Sequence, residues 1–125
     1  LYIALKAYAK SNRHVHFISN VDPDDAAATL RPLNPKQTLI VVVSKSGTTL
    51  ETLTNEELVR TWLKKGGCNP NEHLIAVTGE KSPMDNPQRY LASFYMWDFI
   101  GGRYSATSMV GGVMLSFALG LDQFM

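Results

Sequence analysis

The stretch SKSGTTLET, residues 44–52, sets Ser44, Ser46, Thr48, Thr49 and Thr52 around Lys45 and Gly47, directly after the apolar run Leu39-Ile40-Val41-Val42-Val43. Hydroxyls and a cation at the end of a buried strand suit the binding of an oxyanion. A strand that leaves through a short glycine-containing turn and enters a helix brings unpaired backbone N–H groups and the positive end of the helix dipole to one point. Ser44, Ser46, Thr48 or Thr49 can add donors there, and Gly47 lets the backbone come close without a Cβ. The pattern is that of a phosphate cradle, but not of a Walker loop: no earlier glycine has the right spacing and no Gly-Lys-Ser/Thr follows. A sugar phosphate fits it better than a nucleoside triphosphate. Helix capping alone accounts for one threonine and leaves the other hydroxyls unexplained.

A second cluster, Asp98-Phe99-Ile100-Gly101-Gly102-Arg103-Tyr104-Ser105, repeats the logic. Two glycines leave the backbone bare beside Arg103. A fixed guanidinium next to bare N–H groups can offer permanent positive charge and donors to an oxyanion; the plainer reading is an arginine facing water.

These residues need elements to position them. Residues 1–12 read as the end of a helix and residues 15–18 as a short strand. Asp22 or Asp24 then caps a helix through Ala26, Ala27, Ala28 and Leu30, stopped near Arg31-Pro32. Residues 38–43 are apolar on both faces and β-branched, as a central parallel strand requires. Thr48 and Glu51 have capping-box spacing, and the helix they open carries Leu50, Leu53, Leu58, Val59, Trp62 and Leu63 along one stripe and ends at Gly66-Gly67. Residues 73–78 form a further strand, 79–87 a loop, and 93–97 a last, aromatic strand. A buried helix follows from near Ser105 or Thr107, with Met109, Met114, Phe117 and Leu121 in its core face. Alternating strands and helices imply an α/β fold with a mainly parallel sheet, helices on both sides, and a ligand at the carboxyl ends of the strands.

Composition narrows the partners. The 125 residues, 45% hydrophobic, suffice for one compact domain, and the net charge of +1, spread without basic blocks, argues against nucleic acid. The uncharged stretch 104–121 is at the short limit for a membrane span and is interrupted by glycines and hydroxyls, so a buried helix is expected and no membrane partner. The lone Cys68 fits a reducing compartment, and no charged n-region with an apolar stretch and cleavage site is visible at the start of the sequence. His14 and His16 share a strand face but have no carboxylate or cysteine partner at ligand spacing, so no metal site is expected. Glu51 reads as the capping-box residue, and Glu56 and Glu57 as a solvated helix face.

The motif SKSGTT with its following Glu-Thr, together with D-x-x-GGRYS and the upstream His16-Phe17-Ile18-Ser19-Asn20-Val21-Asp22, resembles the glucose-6-phosphate isomerase family in its first sugar-isomerase (SIS) domain, over nearly the whole chain. The resemblance implies a three-layer α/β/α sandwich of the flavodoxin-like, doubly wound SIS type. It implies that Ser44, Ser46 and Thr49 bind a substrate phosphate, with Lys45 and Thr48 in the same loop. Arg103 would stabilise the negative charge of a cis-enediolate as a proton moves between C1 and C2, and Gly102 would lie against the substrate. Some family members carry Thr-Phe where this chain has Ser46-Gly47, which keeps the hydroxyl.

The same resemblance implies a cofactor-free isomerase of glycolysis and gluconeogenesis, cytoplasmic, acting on a small sugar phosphate and homodimeric at full length. The histidine and lysine that open the ring and the glutamate base fall in segments beyond this chain. Residues 1–125 are therefore expected to be a single SIS-type domain truncated at both ends and inactive alone. Two other readings stay open: a non-catalytic SIS module sensing a sugar phosphate, and a bifunctional phosphoglucose/phosphomannose isomerase.

Overall fold

A computed structural model describes residues 1–9 and 12–125. In chain order its elements are α1 (Tyr2–Leu5), α2 (Pro23–Leu30), β1 (Ile40–Ser44), α3 (Leu50–Lys65), β2 (Leu74–Thr78), β3 (Ala92–Tyr95), α4 (Met109–Leu119) and α5 (Leu121–Phe124), joined by turns and short 3-10 segments. They form two compact units, one of residues Phe17–Trp97, the other of Leu1–His16 with Asp98–Met125.

The larger unit is α/β. Its three strands are all parallel in the order β1-β2-β3, with Ser44 opposite Thr78 and Thr78 opposite Tyr95 at the carboxyl ends. The expected strand at 15–18 does not pair: β1 is an edge strand, and β2 holds the centre. Alternating residues supply a propensity, but a strand exists only where its N–H and C=O groups find a ladder. Edge position also explains why Val41 and Val43 are still 39% and 37% exposed, although their run reads as buried on both faces.

The opposite face carries the core. Val42, Leu74 and Ala76 pack with Leu63 of α3 and with Met84 and Tyr90. Asp22, rather than Asp24, caps α2, its carboxylate accepting from the N–H of Asp24 at 2.9 Å and Asp25 at 3.4 Å, with Pro23 at the first helical position. α3 ends in a Schellman motif: Gly67, at φ 76°, donates to Lys64 O and Cys68 N–H donates to Leu63 O, both at 3.0 Å.

The inward stripe of α3 departs from its apolar pattern. Glu56, Val59, Arg60 and Leu63 are buried, whereas Leu50 is 73% exposed. Glu56 is not on a solvated face: it is 2% exposed and accepts from Arg60 Nε at 2.6 Å, Arg89 Nη2 at 3.2 Å and Tyr90 OH at 2.6 Å. Arg60 also donates to Asn71 Oδ1 and Arg89 O, and its guanidinium lies 5.3 Å from the Tyr90 ring centre. Every buried side-chain nitrogen and oxygen of the cluster thus has a partner, the condition under which a buried charge is tolerated. Glu57 beside it is exposed, as expected.

In the smaller unit a 3-10 segment, Gly102–Thr107, precedes α4. Ser108 caps α4, accepting from Val110 N–H at 3.3 Å. Gly111 sits directly against the Ala106 carbonyl, where a Cβ has no room. Burial on α4 falls on Gly111 and Ala118. Met109, Phe117 and Leu121 are 44%, 36% and 63% exposed, so the expected core face is only partly covered within the chain. Arg13 lies 4.9 Å from the Phe117 ring centre. Among the described residues no helix is long and apolar enough to cross a membrane.

Candidate functional site

The turn between β1 and α3 begins with Ser44, 6% exposed, whose hydroxyl lies 2.9 Å from the Thr49 hydroxyl and accepts from Gly47 N–H at 3.2 Å. Ser46 Oγ accepts from both the backbone N–H and the hydroxyl of Thr48, at 3.2 and 3.0 Å. Lys45, Ser46, Thr48 and Thr49 face outward. Gly47 stands at φ +68°, a conformation costly for any residue with a Cβ.

The expected capping box does not form. The N-cap of α3 is Thr49, and its side chain makes no capping bond. Its hydroxyl is turned back to Ser44, and that of Thr48 to Ser46. The first-turn amides of this sixteen-residue helix therefore keep no hydroxyl cap, which leaves the positive end of the dipole open beside Lys45.

A second loop supports the turn. Gly79 N–H donates to Lys45 O at 3.0 Å and the Thr78 hydroxyl donates to Ser44 O at 2.6 Å. A Cβ on Gly47 would stand 2.9 Å from Ser82 Oγ and 3.0 Å from Met84 N, so the turn rests on residues 82–84. Thr78 and Ser82 have no place in the sequence reading. The signal for them is slight: a hydroxyl at the last position of an apolar strand, just before Gly79.

The second cluster stands in the other unit and is described by itself. Arg103 is exposed, in the 3-10 segment, and Ser105 Oγ donates to Gly102 O at 2.7 Å. A Cβ at Gly101 or Gly102 would meet nothing within 4 Å, and neither has a positive φ. Nothing among the described residues therefore requires glycine there. His14 and His16 are exposed, and no group of three or more His, Cys, Asp or Glu side chains converges among the described residues.

An all-parallel sheet with a hydroxyl-rich, uncapped strand-to-helix turn at its carboxyl edge defines an α/β protein with a turn suited to an anion, and comparison with known proteins narrows the class. The phosphoglucose isomerase family model matches residues 1–125. The chain belongs to that family. It is 57% identical over 124 residues to a glucose-6-phosphate isomerase of Protochlamydia amoebophila, covering 98% of this chain and 23% of that protein. It is 53% identical over 124 residues to the enzyme of the same name from Chlamydia trachomatis, covering 99% of this chain and 24% of that one.

The crystal structure of a glucose-6-phosphate isomerase from Chlamydia trachomatis superposes with a TM-score of 0.95 at 54% identity, over 98% of this chain and 24% of that one. A hypothetical protein from Thermus thermophilus superposes at 0.78 with 32% identity, over 94% of this chain and 29% of its own. The chain thus spans about a quarter of the length of these relatives.

Proposed function

We propose that the chain is the phosphate-binding part of a glucose-6-phosphate isomerase, which interconverts glucose 6-phosphate and fructose 6-phosphate through a cis-enediolate. The observation that carries this reading is the state of the turn at residues 44–49. Five polar side chains gather there, yet none caps α3, and the helix amides stay open to an anion. Ser44, Ser46 and Thr49 donate to the phosphate, Thr48 shapes the turn through Ser46, and Lys45 adds charge.

Arg103 takes the second role. Its guanidinium stabilises the negative charge on the enediolate oxygens while a proton moves between C1 and C2. Gly102 lets the substrate approach the backbone beside it, and the open space around Gly101 and Gly102 supports that assignment. The ring-opening and proton-transfer groups belong to the other three quarters of the enzyme, within which this segment is one SIS-type domain. The full-length enzyme acts as a cytoplasmic homodimer in glycolysis and gluconeogenesis.

A coupled assay on the full-length polypeptide carrying this segment tests the reading. Fructose 6-phosphate is supplied, and glucose 6-phosphate is detected by an NADP-linked dehydrogenase. Turnover on fructose 6-phosphate is expected. Binding of the sugar phosphate without turnover would instead identify a sensor.

A further inference from the structure

The hydrogen bonds beneath the turn run in one direction. Thr78, the last residue of β2, is fully buried, and its only proton goes to Ser44 O at 2.6 Å. Its contact with Ser82 Oγ, at 2.7 Å, must then be donated by Ser82. Ser82 Oγ in turn accepts from Met84 N–H at 3.2 Å. The order is Met84 N–H to Ser82 hydroxyl to Thr78 hydroxyl to Ser44 carbonyl, and the same carbonyl accepts Gly47 N–H at 3.3 Å, closing the turn.

We infer that Thr78 and Ser82 are positioning residues for the phosphate turn: they fix Ser44 and Gly47, and so set the affinity for the sugar phosphate without touching it. The inference rests on the reading of residues 44–49 as the phosphate site. Two further contacts make the support rigid. Gly79 N–H holds the next carbonyl, Lys45 O, and the Ser82 and Pro83 side chains with Met84 N fill the space beside Gly47. Hydrogen bonds in a largely buried, mutually paired chain hold geometry more tightly than the same bonds in water. Donors held in place before binding lose less freedom on binding. The phosphate carries the same charge in substrate and enediolate, so an error in its cradle weakens ground state and transition state alike.

The test uses the full-length enzyme carrying this segment, with Thr78→Val, Thr78→Ser, Ser82→Ala and Ser46→Ala, read by kcat, KM for fructose 6-phosphate and the competitive inhibition constant of inorganic phosphate. Thr78→Val keeps the shape and removes the donor. It should raise KM and the phosphate inhibition constant together by about tenfold, with kcat held within about twofold. Thr78→Ser should restore both. Ser82→Ala keeps the Thr78–Ser44 bond but frees its orientation, and should raise both constants by about threefold.

A Thr78→Val enzyme that melts earlier but keeps both constants marks Thr78 as purely structural and overturns the inference, as does a loss confined to kcat. Should Thr78→Val fail to fold, Ser82→Ala decides, and unchanged constants there overturn it. Ser46→Ala separates the two readings. If it leaves both constants unchanged, the phosphate site itself is misplaced; if it raises them and Thr78→Val does not, only the positioning inference falls.

Discussion

The Tyr90 hydroxyl donates to Glu56 Oε2 across 2.6 Å, joining the connection before β3 to the middle of α3. Arg60 and Arg89 close on the other oxygen of the same carboxylate. This buried cluster ties together helix, sheet connection and core. Arg60 has lost its water and depends on Glu56 for compensation.

Removing the carboxylate should therefore cost more than a surface ion pair. Glu56→Ala leaves Arg60 buried without its charge partner, a change that typically costs about 3–5 kcal/mol. Glu56→Gln, which keeps an acceptor oxygen, should cost less. Urea unfolding measures both, with the midpoint falling and the slope unchanged.

The same contact gives a pH dependence. Burial first, then the hydrogen bond to Glu56, pushes the Tyr90 hydroxyl well above its ordinary range. Because the folded-state pKa is the higher one, this stability is fully present below about pH 10 and is lost as pH rises toward the folded value. In an ultraviolet titration the Tyr90 hydroxyl should ionise above the ordinary tyrosine range. Tyr90→Phe should be less stable at neutral pH and lose less on going to alkaline pH.

A side chain at Gly47 should be costly in this chain's setting, where Ser82 and Met84 close on the turn. The positive φ of Gly47 alone costs a residue with a Cβ about 1–2 kcal/mol, and the close approach of Ser82 Oγ and Met84 N adds to that. Gly47→Ala should lower the melting temperature and raise KM for the sugar phosphate. An unchanged KM would mean that the turn can shift without loss to the site.

In the full-length enzyme Arg103→Ala should act mainly on kcat. A guanidinium aimed at the enediolate serves charge that exists only near the transition state, and loss of one such group costs on the order of 10²–10³, about 3–4 kcal/mol. Arg103→Lys should recover little, because the planar fork is gone. Ser46→Ala should raise KM instead. Steady-state kinetics decide the matter, and an Arg103→Ala enzyme with normal kcat and raised KM makes Arg103 a binding residue.

The 125-residue chain by itself should show no isomerisation in the coupled assay. It holds the turn proposed to bind phosphate but no glutamate in a family base motif, and positioned acid–base groups each contribute about 10²–10⁴-fold. Turnover comparable to that of a full-length enzyme would place the base among Glu51, Glu56, Glu57, Glu72 and Glu80.

The sequence by itself determined what nearest neighbours decide. The β-branched run before Ser44, the stop at Gly66-Gly67 and the cap before α2 follow from local sterics and capping, and all three are present. The hydroxyl-rich turn was legible for the same reason, since its residues lie within a few positions of one another. Tertiary structure decided what depends on distant partners. Residues 15–18 had strand character but no ladder, and β1 became an edge strand. Thr49 turned to Ser44 rather than capping its own helix. Glu56 read as a solvated charge because its Tyr90 partner stands 34 residues away, and the Thr78–Ser44 bond spans the same separation. A polar side chain is buried when the fold brings it matching donors, and no local pattern reports where those donors come to rest.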